Sequence, residues 1–121
     1  WVAEKKKSDP DFFTRLGQVH KPEFLFIGCS DARLSVQHML GLEAGQVFVH
    51  RNIANMVVNT DLNLLSVLTY AIDYLKVKKI IICGHYECGG VRAAMTKNDH
   101  GLIENWIMGV RDVARYHQKE L

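Results

Sequence analysis

Two apolar runs in this sequence end in the same unusual way, and that repetition limits the fold more than any other feature. Residues 80–90 read IIICGHYECGG, and residues 24–33 read FLFIGCSDAR. Each run lacks the polar–apolar alternation of a strand with one wet face, so each reads as a strand covered on both faces. Each then gives way at once to side chains that carry chemistry. Cys29, Asp31 and Arg33 follow the first run, and His85 and Cys88 follow the second.

The rest of the chain alternates helical and strand patterns. Asp9-Pro10 suits a helix start, with Phe12, Phe13 and Leu16 on one face. Phe24–Ile27 is the first strand, and Ser35 caps a short helix through Leu40. Gly41 and Gly45 flank a turn, and residues 46–50 form the second strand. Asn59 or Thr60 caps a long helix to Leu75, apolar on most of its sides, which points to a partner subunit. Lys79–Cys83 is the third strand, and a last helix covers residues 102–119. This order predicts an α/β fold, a mainly parallel β-sheet flanked by helices with right-handed crossovers. In such sheets the sites lie beyond the carboxyl ends of the strands. The two motifs are therefore expected on one edge of the sheet.

Zinc is held by thiolate, imidazole and carboxylate ligands in a tetrahedron. Cys-x-Asp and His-x-x-Cys each let two side chains reach one point from a turn, and Gly84, Gly89 and Gly90 remove bulk beside it. A cysteine that ends a buried strand is often only a small hydrophobe, and Cys83, inside the third strand, is read that way. Two paired motifs on two strand ends favour a metal instead.

Bulk properties narrow the alternatives. The 121 residues are 48% hydrophobic and 23% charged, with net charge +2, which suits one core-forming domain, residues 1–121. Lys5, Lys6 and Lys7 are the only short basic run and read as a solvated helix end, so no nucleic-acid partner is expected. No apolar run approaches the roughly 18 residues of a membrane span, and the first ten residues do not resemble a signal peptide. Three cysteines, two of them in polar motifs, suit metal binding in the cytoplasm or another reducing compartment, with organelle targeting left open. The final helical pattern stops abruptly, so the domain is expected to continue past Leu121.

CSDAR and GHYECGG, with VFVHRNIANMV between them, resemble the β-class carbonic anhydrases, and NTDLN at 59–63 resembles the bacterial-type branch. The resemblance implies one zinc per chain on Cys29, His85 and Cys88, and reversible hydration of carbon dioxide to bicarbonate by zinc-bound hydroxide. Asp31 either takes the fourth zinc position or pairs with Arg33 and leaves that position to water. His20, Phe48, Ile53, Tyr70, Gly89 and Gly90 match substrate-binding positions, partly across a dimer interface. His20 stands where the family usually has glutamine. Phe26 and Arg51 match a second bicarbonate pocket, with Phe26 in place of a tryptophan. A homodimer or a larger assembly of dimers is implied. The rival reading is a closed structural zinc site serving assembly; a cysteine nucleophile is weaker, because neither Cys29 nor Cys88 has an arginine at phosphatase-loop spacing.

Overall fold

The computed structural model describes residues 1–120. Helices α1 (Val2–Ser8) and α2 (Phe12–Gln18) lead into strand β1 (Phe24–Cys29), helix α3 (Val36–Leu40) and strand β2 (Val47–Asn52). A 3-10 turn, Ile53–Asn55, follows, then helix α4 (Leu62–Thr69) with a wider π-type segment at Tyr70–Tyr74. Strand β3 (Lys79–Cys83), helix α5 (Gly89–Ala94) and helix α6 (Leu102–Tyr116) complete the order. Among the described residues, no helix is long and apolar enough to cross a membrane.

The sheet is parallel, with order β2-β1-β3. Strand β1 is central, and Leu25, Phe26 and Ile27 are almost wholly buried, as its unbroken apolar run requires. Leu25 and Ile27 point to one face and pack with Leu64 and Ala71 against Phe48, Val67 and Leu68. Strand β3 departs from expectation. It lies at the edge of the sheet, and Ile80 and Ile82 remain 46% and 58% exposed. Register explains the placement of the motifs. Cys29 pairs with Asn52 across β1 and β2, and Gly28 with Cys83 across β1 and β3. Both motif-bearing turns therefore leave the same sheet edge.

Helix boundaries differ from expectation for local reasons. Asp9-Pro10 forms the corner between α1 and α2; Asp11 is the N-cap of α2, and Asp9 uses its carboxylate on Arg15. Asp61 caps α4, two residues after Asn59, by accepting the Asn63 amide. The long helix does not stay α-helical to Leu75. The Leu75 amide bonds Tyr70 O at 3.0 Å, a five-residue step that turns Ala71 inward and leaves Tyr70 and Tyr74 stacked outside. Helix α5 was not legible at all, because Gly89 and Gly90 are poor helix formers.

Leu64 fills the interface between α4 and β1 and is fully buried. Leu64→Ala is expected to cost about 2–5 kcal/mol. Val19→Ala, at a 62% exposed site, should stay within about 0.5 kcal/mol of the parent. Urea denaturation of the two variants measures the contrast.

Candidate metal centre

Cys29 ends β1, and His85 and Cys88 flank a tight turn after β3. The turn closes because Glu87 adopts a left-handed conformation, φ 53°. That conformation costs a non-glycine residue about 1 kcal/mol. It brings one donor atom from each of Cys29, His85 and Cys88 within 4.8 Å of the others. The two sulfurs are 3.9 Å apart. His85 Nδ1 donates to the Tyr86 carbonyl at 2.8 Å, which leaves Nε2 as the bare ring nitrogen. Nε2 is buried and has no hydrogen-bond partner. An orphaned buried acceptor costs roughly 1–3 kcal/mol. A metal ion answers that cost, and two sulfurs with one imidazole are the donor set that zinc favours. The residues present therefore fit zinc, with one position of a tetrahedron left over.

The surroundings favour the ligand form of the cysteine. Burial pushes the Cys29 thiol up, but His85, the backbone amides of Asp31 and Ala54, and Cys88 outweigh it and bring it down to about 7. His85 is correspondingly raised, chiefly by Cys29, against its own burial. A metal that binds here must displace the Cys29 proton. Cys29, Ala54 and Cys88 also form a small apolar cluster with Leu34, Met56 and Val110, which keeps bulk water from the inner side of the site.

Asp31 stands at the mouth. Both its oxygens are taken by Arg33, Nε to Oδ1 at 2.9 Å and Nη2 to Oδ2 at 2.7 Å, and the Arg33 amide adds a third bond to Oδ1. Arg33 Nη2 also donates to the Glu87 carbonyl at 3.1 Å, which ties the β1 turn to the β3 turn. Asp31 Oδ2 lies 3.9 Å from His85 Nε2, near the three ligands but not among them. Of the two arrangements expected for Asp31, this is the one paired with Arg33.

The comparisons now have something to bear on. A family model described as carbonic anhydrase matches residues 24–121. A carbonic anhydrase of Emericella nidulans is 54% identical over 121 residues, covering 100% of this chain and 53% of its own length. One of Candida albicans is 45% identical over 106 residues, 87% of this chain and 37% of its own length. Among solved structures, a tetrameric β-carbonic anhydrase of Sordaria macrospora superposes with a TM-score of 0.96 at 42% identity, covering 99% of this chain and 61% of that one. The chain belongs to the β-class carbonic anhydrases. It spans about half the length of the curated relatives it matches. These relatives are fungal, which gives the expected bacterial-type placement no support.

Other expected site residues of this carbonic anhydrase chain fall into separate groups. His20, Phe48, Tyr70 and Tyr74 form an aromatic file, with successive ring centroids 5.7, 5.8 and 5.4 Å apart. His20 is exposed at the end of that file and packs on Phe48. Ile53 belongs elsewhere. It sits over Gly90, where an added Cβ would come within 2.7 Å of Ile53 Cγ2 and 3.1 Å of Ala54 Cβ. Gly90 is therefore required for close approach, whereas a Cβ at Gly89 would meet open space. A shallow opening of about 250 Å³ beside the ligands is lined by His85, Glu87, Cys88, Val91 and Arg92.

Phe26 and Arg51, which the resemblance matches to a second bicarbonate pocket, are both engaged within the fold. Phe26 is fully buried and folds over Gly28. Arg51 gives its donors to three backbone carbonyls. Sequence reasoning also missed Asn52 and Trp106. Asn52 accepts the Met56 amide and donates to the Met56 carbonyl, and Trp106 Nε1 donates to Ile53 O at 2.8 Å. Together they brace a turn in which Ala54 and Asn55 have φ of 63° and 43°. That strained turn packs Ala54 against Cys29 and Cys88. The IANM run carried little signal of this: asparagine tolerates a left-handed conformation, but alanine before it does not advertise one.

The Arg33 hydrogen bond, then the Arg33 amide, hold Asp31 well below the usual carboxylate range. A depressed folded value means stabilisation that is present above the unfolded value near 3.9 and lost as pH falls through the folded one. Arg33→Ala removes the main cause, so the Asp31 value should move up. Carbon-13 NMR titration of the Asp31 carboxyl in both proteins checks the direction; an unmoved value would mean that the guanidinium does not hold it.

Proposed function

We propose that this chain carries the active site of a zinc-dependent carbonic anhydrase, interconverting carbon dioxide and bicarbonate. One observation supports the reading above all: two sulfurs gather around a bare buried imidazole nitrogen, while a neighbouring carboxylate is held off by an arginine. A closed structural site has no use for Asp31 in that position.

Cys29, His85 and Cys88 would hold the ion, one per chain. Zinc, when bound, acidifies a coordinated water so that it serves as a nucleophile near neutral pH, less strongly beside two thiolates than beside three histidines. The chain's own residues do the rest. Tyr86 O fixes the ring of His85 through Nδ1, so that Nε2 faces the sulfurs. Asp31 presents an ionised oxygen at the mouth, an acceptor for a proton-bearing nucleophile. Arg33 keeps it ionised and keeps it from the ligand set. Val91 and Ile53 supply apolar surface close to the turn, suited to a small apolar electrophile.

The Sordaria relative is tetrameric, and we extend pairing to this chain through the face of α4 and the segment after it. Leu62, Tyr70, Ile72 and Tyr74 are 45–77% exposed there, a patch larger than scattered surface residues require. Pairing on that face would place the His20–Phe48–Tyr70 file at a subunit boundary, where a substrate pocket completed by a second copy belongs. Three free cysteines, two of them ligands, suit a reducing compartment.

Cys29→Ser, His85→Ala and Cys88→Ser should each lose zinc and stability together, because binding energy at such a site is also folding energy. Asp31→Asn should keep zinc and lose activity roughly 10–100-fold. Activity should rise from neutral toward alkaline pH, over roughly pH 6 to 9. Metal analysis with stopped-flow carbon dioxide hydration on one sample tests all of this. Zinc retained by a His85→Ala, Cys88→Ser double variant, or full activity in Asp31→Asn, would contradict it.

A further inference from the structure

Arg51 plays no part in the functional reading above, yet its side chain is fully committed. It sits one residue from the end of β2, level with Gly28 of β1. Nε donates to Cys29 O at 2.8 Å, Nη2 to Asp31 O at 2.5 Å, and Nη1 to Leu34 O at 3.1 Å. Three nitrogens thus meet three carbonyls of one turn. Asp31 O also accepts the Leu34 amide at 3.1 Å, and the guanidinium adds a second donor there that ties the turn back to β2.

From this geometry we propose that Arg51 is a positioning residue. Its guanidinium clamps the backbone of the Cys29–Leu34 turn, fixing the peptide that carries Asp31 and the strand end that carries the Cys29 sulfur. The two arginines then divide the work: Arg33 holds the Asp31 carboxylate, and Arg51 holds its main chain. Cys29 and Asp31 share this short stretch of backbone, so a twist of it would disturb a metal ligand and the acceptor together. A guanidinium can address three carbonyls from one plane, whereas an ammonium is a single point charge on a flexible stem.

The inference rests on the functional reading, so its test carries a readout independent of turnover. Cobalt(II) replaces zinc in the full chain, in the parent, in Arg51→Lys and in Arg51→Ala, and the sulfur-to-cobalt charge-transfer band is recorded beside hydration kinetics. Both variants should fold and bind one cobalt per chain with a shifted band. In the zinc form, kcat should fall roughly 10–100-fold with KM nearly unchanged, and lysine should not rescue it. With an active parent, the proposal stands only if band and kcat both change. A parent-like band, loss of bicarbonate inhibition alone, or failure of both variants to fold overturns it. If the parent hydrates no carbon dioxide, the functional reading fails separately and the band alone decides. A parent that binds no cobalt overturns both.

Discussion

The parallel register of β1 against its two neighbours is the constraint on which the rest of the site depends. Cys29 is the last residue of β1, level with Asn52, while Gly28 is level with Cys83. A slip of one residue in either pairing would turn Cys29 to the opposite face. The register is held by Leu25, Phe26 and Ile27, which are buried on both sides of the sheet and admit no other arrangement at low cost. The chemistry is thus built on the most rigid part of the molecule, and only the turns beyond the strand ends are free to be specialised.

Those turns are expensive, and the expense is spread over several supports. Glu87, Ala54 and Asn55 all sit in left-handed conformations that suit glycine better. Bonds from other segments hold Glu87 and the residues that flank Ala54 and Asn55. Arg33 reaches Glu87 O from the β1 turn, Asn52 brackets Met56, and Trp106 reaches Ile53 O from α6. Helix α6 therefore contributes to the metal centre without supplying a ligand. Strain is tolerated because opposing elements over-determine the backbone there.

The metal centre was legible in the sequence because it depends on residue types at short spacings. Cys29, His85 and Cys88 come together as their motifs implied, and Asp31 lies with Arg33 beside them. The strands were legible for the same local reason, since unbroken apolar runs have few uses. What the sequence did not show is what depends on tertiary geometry. Arg51 matches a second bicarbonate pocket in the sequence, and only the fold shows three carbonyls in front of it. Phe26 matches a pocket position by alignment of motifs, yet it is buried beneath the sheet surface. Helix α5 was hidden by Gly89 and Gly90, which are poor helix formers; the Ile53 contact shows why Gly90 is there. The exposed edge of β3 was hidden because an apolar run does not tell which face is covered.

The central claim is that two sulfurs and one imidazole hold zinc, with Asp31 kept off the metal by Arg33. X-ray absorption at the zinc edge of the metal-loaded protein tests it most directly. The account predicts two sulfur neighbours at about 2.3 Å and one imidazole nitrogen at about 2.0–2.1 Å, with a single further light atom that persists in Asp31→Asn. A shell of oxygen and nitrogen alone, a third sulfur from Cys83, or loss of the fourth neighbour in Asp31→Asn would contradict it.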